Sequence, residues 1–237
     1  MTTYRKSTKL TVEQLNEQFT PLSFESRIRK LYFYFSEKEV LFTSSFGTSS
    51  AFLLSLISRV HPQQTVYFLD TTYHFQETID YKVQLTDLFQ LQVVDVKPDQ
   101  QENAKTHDGV WWQNRPDDCC YINKVAPLEP IKARHKVWIS GVMGFQTPHR
   151  ANLRIFEWQD GILKFHPLVD IDEGEFLYYQ SLHNLPRHPL EALGYGSVGC
   201  ENCTQAGAGR SGRWAGQEKT ECGLHPGYFA KPAANKG

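Results

Sequence analysis

The sequence predicts an α/β fold with a mainly parallel sheet. Three short apolar segments, at 40–43, 65–70 and 91–96, have the length and composition of buried strands. Segments with the apolar periodicity of helices lie between them. Because strands that alternate with helices form parallel β-α-β units, the pattern favours one sheet with helices on its faces.

The first predicted element is a helix over residues 11–37. Apolar residues recur at helical spacing in its second half. The stretch from Thr11 to Gln14 resembles a capping box that lacks the usual glutamate, so an imperfect cap is expected. We interpret this segment as a packing helix at the edge of the domain.

A turn of small and hydroxyl-bearing residues follows the first strand. Ser45, Phe46, Gly47 and Thr48 precede an apolar helix predicted over 51–60. A turn of this kind directs backbone N–H groups and a helix dipole at an anion. It lacks the Gly-Lys-Ser/Thr ending of a Walker A loop. From these residues alone, a phosphate site and a simple helix cap remain alternatives.

The second strand ends in Asp70 and Thr71, at the edge where open α/β sheets bind ligands. The helix after it is predicted to bury one apolar face, formed by Phe75, Ile79, Leu85, Leu88 and Phe89. Both features extend the α/β pattern along the chain.

The second half of the chain is less regular. Residues 98–118 are polar and are predicted to be irregular. Further strands are predicted at 137–141 and 163–170, and a short helix at 173–183.

The bulk composition excludes several classes of protein. The chain has 237 residues, a net charge of −1 and 40% hydrophobic residues, which suits a soluble enzyme and not a non-specific nucleic-acid binder. No apolar run approaches the ~20 residues of a membrane span. The first ten residues lack the apolar stretch of a signal peptide. We therefore expect a reducing cytoplasm, where cysteines serve metals or catalysis.

Five cysteines divide into two pairs and one isolated thiol. Cys119 and Cys120 are adjacent, Cys200 and Cys203 form a C-x-x-C pair, and Cys222 stands alone. Four thiolates suit zinc or an iron–sulfur cluster. Adjacent cysteines are unusual for either, so the spacing leaves zinc, iron–sulfur and buried free thiols as alternatives.

The C-terminal part of the chain combines cations with the isolated thiol. Arg210 and Arg213 lie three residues apart within a glycine-rich segment, 204–217, which is the best candidate for a hinge or lid. Arg150 could contact an anion, although from its own surroundings a surface arginine is the better reading. We interpret this part as bringing the Cys222 thiol to a substrate held by the rest of the chain.

Seven short motifs along the chain point to one family. They are Ser44-Ser45-Phe46-Gly47, Leu69-Asp70-Thr71, Cys119-Cys120 with Lys124, Arg150, Cys200-x-x-Cys203, Arg210-x-x-Arg213-Trp214, and Lys219-Thr220-Glu221-Cys222-Gly223-Leu224-His225. With these motifs the chain resembles the assimilatory sulfonucleotide reductases. These act on adenylyl sulfate (APS) or on 3′-phosphoadenylyl sulfate (PAPS). The resemblance covers about residues 40–225.

The resemblance implies an adenine-nucleotide α-hydrolase-like (PP-loop-type) α/β sandwich with a mobile C-terminal segment. It implies reduction of APS to sulfite and AMP, in sulfate assimilation and cysteine biosynthesis. Cys222 would attack the sulfur of APS and form an S-sulfonate. Thioredoxin, or a glutaredoxin-like reductant, would then release sulfite.

The resemblance also implies the site residues. One [4Fe–4S] cluster per chain, typical of the APS-specific branch, is expected on Cys119, Cys120, Cys200 and Cys203. Substrate contacts are expected from Ser45, Phe46, Gly47, Thr48, Asp70, Thr71, Lys124, Arg150, Arg210 and Arg213. The implied cations would stabilise the charge that builds on the leaving phosphate.

One stretch departs from the family pattern. Most members read Gly-Leu-Arg-Arg after the fourth strand, whereas this chain reads Gly141-Val142-Met143-Gly144. The loss of both arginines keeps a PAPS reductase or a dual reductase as alternatives. A zinc-stabilised nucleotide-binding module without redox chemistry, in which Cys222 is incidental, is the alternative from another class.

We predict a single reductase domain over residues 1–237. Its nucleotide-binding core is expected over about 40–200, and a flexible tail with the nucleophile over about 204–237. The sequence leaves a homo-oligomer open and indicates no nucleic-acid or membrane partner.

Overall fold

The computed structural model describes residues 10–217, 219 and 221–224. Its centre is a six-stranded sheet with the order β3-β2-β1-β4-β6-β5. The strands are β1 (Val40–Ser44), β2 (Thr65–Leu69), β3 (Gln92–Val96), β4 (Val137–Ile139), β5 (Phe156–Gln159) and β6 (Ile162–Phe165). All neighbouring strands are parallel except β5 and β6, which are antiparallel. The predicted mainly parallel sheet is confirmed.

Helices surround this sheet. They are α1 (Val12–Phe19), α2 (Phe24–Tyr34), α3 (Ser50–Val60), α4 (Gln76–Phe89), α5 (Gln100–Lys105), α6 (Trp111–Asn114), α7 (Pro116–Cys120), α8 (Ala126–Lys132) and α9 (Glu173–Leu182). A π-helical turn, Tyr121–Val125, joins α7 to α8. The chain therefore continues from the vicinal cysteines into α8 without leaving helical geometry.

The position of β1 at the centre of the sheet explains why its residues are apolar. Val40, Leu41 and Phe42 are at most 1% exposed, because β1 lies between β2 and β4 and both faces of a parallel sheet are covered. The chain runs from β1 outward to β3 on one side and then crosses to β4 on the other. Ligands bind at such a switch point, outside the carboxyl ends of the strands.

The N-terminal prediction is wrong in two respects. Residues 11–37 form two helices, α1 and α2, and not one, because the chain turns at Pro21 between them. The capping box of α1 is complete: the Gln14 N–H donates to Thr11 Oγ1 (3.2 Å), and the Thr11 N–H donates to Gln14 Oε1 (2.9 Å). Glutamine serves here as well as glutamate because both offer an acceptor oxygen.

Other boundaries also differ from prediction. The polar stretch 98–118 contains three short helices, α5 to α7. The predicted strand 163–170 ends at Phe165, and its antiparallel neighbour β5 was not predicted at all. On α4, four of the five predicted apolar residues are buried or pack on the core, whereas Leu88 is 55% exposed and Tyr81, which was not predicted, is buried.

Within the described residues, the helices are too short or too polar to cross a bilayer. Residues 1–9, on which the expected absence of a signal peptide rests, lie outside those residues.

Candidate active site

A cavity of about 710 Å³ opens at the carboxyl edge of the sheet. Its lining comes from the turn after β1, the loop after β4, the π-helical turn and the C-terminal part of the chain. Four of the predicted cations line it together with the isolated thiol: Lys124, Arg150, Arg210, Arg213 and Cys222. Tertiary structure therefore brings together residues that are up to 98 positions apart, from Lys124 to Cys222.

The turn after β1 contributes its backbone and hydroxyl groups to the cavity. Ser45, Gly47 and Thr48 line it, and Thr48 Oγ1 donates to the Gly196 carbonyl (3.2 Å), which ties the turn to the C-terminal part. Phe46 does not line the cavity. Its side chain is fully buried and packs on Phe68, with ring centroids 5.6 Å apart.

The residues after β2 have other partners than the predicted substrate. Asp70 accepts a hydrogen bond from the Thr72 N–H (3.0 Å) and faces Lys97 at 3.6 Å. Thr71 is fully buried, and its Oγ1 lies 3.4 Å from the sulfur of Cys200. Neither lines the large cavity, whereas His74, which was not predicted, does.

The four paired cysteines surround a second, much smaller cavity next to the first. All four line it, together with Lys124. Burial, together with the facing sulfurs, raises the pKa of Cys119 to about 11 and that of Cys203 to about 12. Without a bound cation, both thiols therefore stay protonated near neutral pH.

Among residues 10–217, 219 and 221–224, no group of three or more His, Cys, Asp or Glu side chains has the geometry to hold a metal ion. The described arrangement therefore assigns neither a zinc ion nor a cluster to these cysteines.

Lys124 lies between the two cavities and lines both. Burial by itself lowers the pKa of Lys124, but the sulfurs of Cys200, Cys120 and Cys222 outweigh burial and raise the pKa above its ordinary value. The Lys124 ammonium therefore stays charged, and it acts on both the paired cysteines and the Cys222 thiol.

The isolated thiol, Cys222, is activated by its surroundings. Burial raises the pKa of Cys222, but Lys124, the N–H of Leu224 and Arg213 outweigh it, so the pKa lies below its ordinary value. Since the thiolate is the nucleophilic form of cysteine, this environment favours reactivity. By contrast, burial and the neighbouring sulfurs raise the pKa values of Cys119 and Cys203.

Arg150 has a carboxylate partner that the sequence did not indicate. Its Nε and Nη2 donate to the two oxygens of Glu221 at 2.6 and 2.7 Å, and its Nη1 donates to Gln146. Arg150 is 6% exposed and Glu221 is 2% exposed. Glu221 also lies 3.4 Å from Arg210. Three of the five N–H donors of Arg150 are therefore engaged, which fixes the segment before Cys222, and Arg150 still lines the large cavity.

The Arg213 guanidinium has hydrogen-bond donors available for a ligand. Its Nη1 donates to the Val198 carbonyl (3.2 Å), and its guanidinium stacks on the Trp214 ring at 4.4 Å. Within the described part of the chain, its buried Nε finds no hydrogen-bond partner. A Cβ placed on Gly199 would collide with this guanidinium, so glycine is required for Arg213 to lie here.

We expect Glu221→Gln to loosen the segment that carries Cys222. The substitution keeps the size of the side chain but leaves the Arg150 guanidinium without its buried carboxylate, and breaking such a pair is strongly destabilising. Alkylation of Cys222 by iodoacetamide should accelerate by at least about fivefold, the effect of ~1 kcal/mol. Glu201→Gln, an exposed carboxylate on the same part of the chain, is the control. Equal alkylation rates in both variants would contradict the role of the ion pair.

The family model described as the phosphoadenosine phosphosulfate reductase domain matches residues 39–206. The chain belongs to this family. An adenosine 5′-phosphosulfate reductase of Bacillus cereus (strain AH187) is 39% identical over 198 residues, which cover 80% of this chain and 85% of that protein. One from Bacillus mycoides (strain KBAB4) is 39% identical over 196 residues, which cover 79% and 84%.

Solved structures agree with this membership. The phosphoadenylyl-sulfate (PAPS) reductase of Candida auris, in complex with phosphate, superposes with a TM-score of 0.72 at 25% identity, covering 84% of this chain and 100% of that one. Yeast FAD synthetase superposes at 0.57 with 13% identity, covering 85% and 70%, and shares the fold alone. The predicted PP-loop-type α/β fold is confirmed.

The structure explains why the family's two arginines are absent from 143–144. Met143 is fully buried in the main core. At Gly144 a Cβ would lie 2.6 Å from the Val169 carbonyl, which also accepts the Gly144 N–H at 2.8 Å. With this backbone path, side chains at 143 and 144 pack inward, and an arginine at either position would require the loop to move.

Proposed function

We propose that this chain reduces adenosine 5′-phosphosulfate to sulfite and AMP with Cys222 as the nucleophile. The observation that carries the proposal is the position of Cys222, on a cavity lined by cations at the ligand-binding edge of a sulfonucleotide reductase fold. As a family member the chain is an oxidoreductase that acts on sulfur in sulfate assimilation.

The nucleotide would bind across the cavity from the turn after β1 to the C-terminal cations. Ser45, Gly47 and Thr48 line one side, and the N-terminus of α3, which favours anions, follows them. Lys124, Arg150, Arg210 and Arg213 would then face the phosphosulfate group, with Arg150 held in place by Glu221.

The first chemical step is attack of the Cys222 thiolate on the sulfur of the sulfuryl group. A bond forms between the two sulfurs as the S–O bond to the phosphate breaks, and the electron pair leaves with the phosphate oxygen of AMP. Negative charge therefore grows on the phosphate, where preorganised cations stabilise the transition state more than the ground state. The product is a Cys222 S-sulfonate.

The second step needs a dithiol reductant, for which we propose thioredoxin or a glutaredoxin-like protein. Its thiolate attacks the Cys222 sulfur, a mixed disulfide forms, and sulfite leaves with the electron pair. The second thiol of the reductant then attacks the mixed disulfide, which frees Cys222 and leaves the reductant oxidised.

The four paired cysteines would hold a [4Fe–4S] cluster. Four thiolates are the donors that such clusters take, and all four cysteines line one cavity. When bound, the cluster would supply negative charge beside Lys124. With or without the cluster, residues of this chain would bind and orient the substrate.

The APS preference rests on the curated relatives. The relatives at 39% identity bear the name of APS reductases. The absence of arginine at 143–144 keeps PAPS and dual reductases as the alternatives. Reaction with both APS and PAPS would change this proposal to a dual reductase.

A single turnover without reductant tests the function. Protein purified without oxygen is mixed with APS or with PAPS, and intact mass spectrometry seeks one added SO₃ group on Cys222. We expect the adduct from APS alone. An adduct from both substrates would assign a dual reductase, and no adduct from either would refute the proposed function.

Arg213 is expected to contribute substrate affinity that depends on salt. Arg213→Ala should raise the KM for APS by about tenfold or more, the effect of a charge-assisted hydrogen bond. Gly199→Ala should raise the KM as well, because its methyl group displaces the same guanidinium. If both substitutions act through Arg213, the KM of the double variant should be no higher than that of Arg213→Ala. Additive effects on KM would show that Gly199 acts independently of Arg213.

Two broader features remain part of the proposal. The chain would act as one reductase domain over 1–237, with residues 204–237 as a mobile segment. Residues 218, 220 and 225–237 of that segment lie outside the described ones. We also propose a cytoplasmic location, where thiol reductants keep cysteines reduced.

A further inference from the structure

A fully buried lysine lies beneath the nucleophile and has no part in the reaction described so far. Lys164 is on β6, where all four residues are buried, and its exposure is 0%. It pairs with Trp138 of β4 on one side and with Glu157 of β5 on the other. A charged residue in the middle of a covered sheet is rare and unfavourable for folding.

The ammonium of Lys164 makes two contacts that direct it toward the C-terminal segment. It lies over the face of the Trp138 ring, 2.9 Å from the centroid. It also donates a hydrogen bond to the carbonyl oxygen of Leu224 at 3.1 Å. Leu224 in turn packs on the apolar cluster that contains Trp138 and lines the large cavity.

Both backbone groups of Leu224 act at this site. Its N–H lowers the pKa of the Cys222 thiol, and its carbonyl accepts a hydrogen bond from Lys164. The Cys222 charge acts on Lys164 as well, since the two groups interact electrostatically. Because Leu224 is two residues from the thiol, fixing its carbonyl restricts where the thiol can point.

We propose that Lys164 is a positioning residue for the nucleophile, and that it holds the Cys222–Leu224 turn in place through the Leu224 carbonyl. The inference rests on the proposed role of Cys222. Lys164 would not touch the substrate, since it does not line the cavity. Its effect would be on the rate of attack and not on nucleotide affinity.

Burial in the sheet lowers the pKa of Lys164 well below its ordinary value, while Cys222 raises it. Lys132 on α8, Glu157 on β5, Asp160 in the turn between β5 and β6, and His166 are the other charged or titratable groups that act on it. The hydrogen bond to Leu224 is available to either form of the amine, because both carry N–H donors.

The test compares Lys164→Met with Lys164→Gln in the full-length protein. Methionine keeps the apolar stem and removes the donor, whereas glutamine keeps a neutral donor. Single turnover with saturating APS should form the S-sulfonate at least about tenfold more slowly in Lys164→Met, the effect of losing a hydrogen bond from a charged group. The rate of S-sulfonate formation in Lys164→Gln should lie between the rates of Lys164→Met and the wild type. AMP affinity should stay unchanged in both.

A structural role would give a different set of results. Replacing a buried charge by an apolar residue is often stabilising, so the Tm of Lys164→Met should be equal to or above that of the wild type. Lys132→Met is the matched control, because it removes a nearby charge that does not contact Leu224. An unchanged S-sulfonation rate would overturn the proposal. A parallel loss of rate, AMP affinity and Tm would overturn it too.

Alkylation of Cys222 separates this proposal from the proposed function. In Lys164→Met, iodoacetamide should react with Cys222 at least about fivefold faster than in the control, because loss of the bond to the Leu224 carbonyl frees the turn that carries the thiol. This readout needs no substrate. A wild type that forms no S-sulfonate refutes the function, whereas equal alkylation in Lys164→Met and Lys132→Met refutes the positioning role.

Discussion

Replacing Cys222 with serine abolishes S-sulfonate formation, with a loss of at least about 10⁴-fold in the rate of sulfite production. A serine hydroxyl has nearly the size of the thiol, but it is not ionised near neutral pH. The variant is assayed for sulfite release with APS and thioredoxin and for the SO₃ adduct by intact mass.

The same variant should keep its substrate site. The cations that line the cavity are unchanged, so the affinity for AMP, measured by calorimetry, should remain within about twofold, a difference of less than ~0.5 kcal/mol. Retained turnover in Cys222→Ser would remove the nucleophile assignment. Loss of AMP binding would instead assign Cys222 a structural role.

Replacing Cys203 with serine removes the proposed cluster. Cys203 is the half-exposed member of the four, and its carbonyl accepts the Trp214 N–H at 2.9 Å, a bond that serine can retain. Wild-type protein purified without oxygen should be brown and contain about four iron atoms per chain, and the variant should lose most of this iron and its visible absorbance.

The two cysteine variants control each other. Cys222→Ser should retain the iron and the brown colour, because Cys222 stands apart from the four sulfurs that line the small cavity. Full iron content in Cys203→Ser would exclude that residue as a ligand. Colourless wild-type protein with one zinc ion per chain would replace the cluster with a zinc site.

Local patterns were sufficient to predict the framework. The short apolar segments of β1, β2 and β3 and the alternation with helices indicated a parallel sheet, and the sheet is confirmed. The antiparallel strand β5 was missed although a local signal marks it: Asp160 and Gly161, both with positive φ, form the two-residue turn between β5 and β6. The helix break at Pro21 was missed because the apolar spacing on either side suggested one element.

The sequence predicted many of the residues that form the site, but not which residues they contact. The sequence marked Lys124, Arg210, Arg213 and Cys222, and all four line one cavity. It also marked Phe46 and Thr71, which turn away into the core and toward Cys200. On a strand or turn, the direction of a side chain depends on its register within the sheet, and neighbouring residues point to opposite sides.

Charge pairing was decided by tertiary structure alone. Arg150 and Glu221 are 71 positions apart and share a bidentate ion pair, and Lys164 meets Leu224 across 60 positions. No local spacing relates such residues, because the sheet and the C-terminal turns set their distance. The sequence by itself determined the fold class and the family, and it marked Cys222 as the proposed nucleophile. Only the folded chain decided which cations line the cavity and which partners engage them, because burial and long-range contacts set the surroundings of each charge.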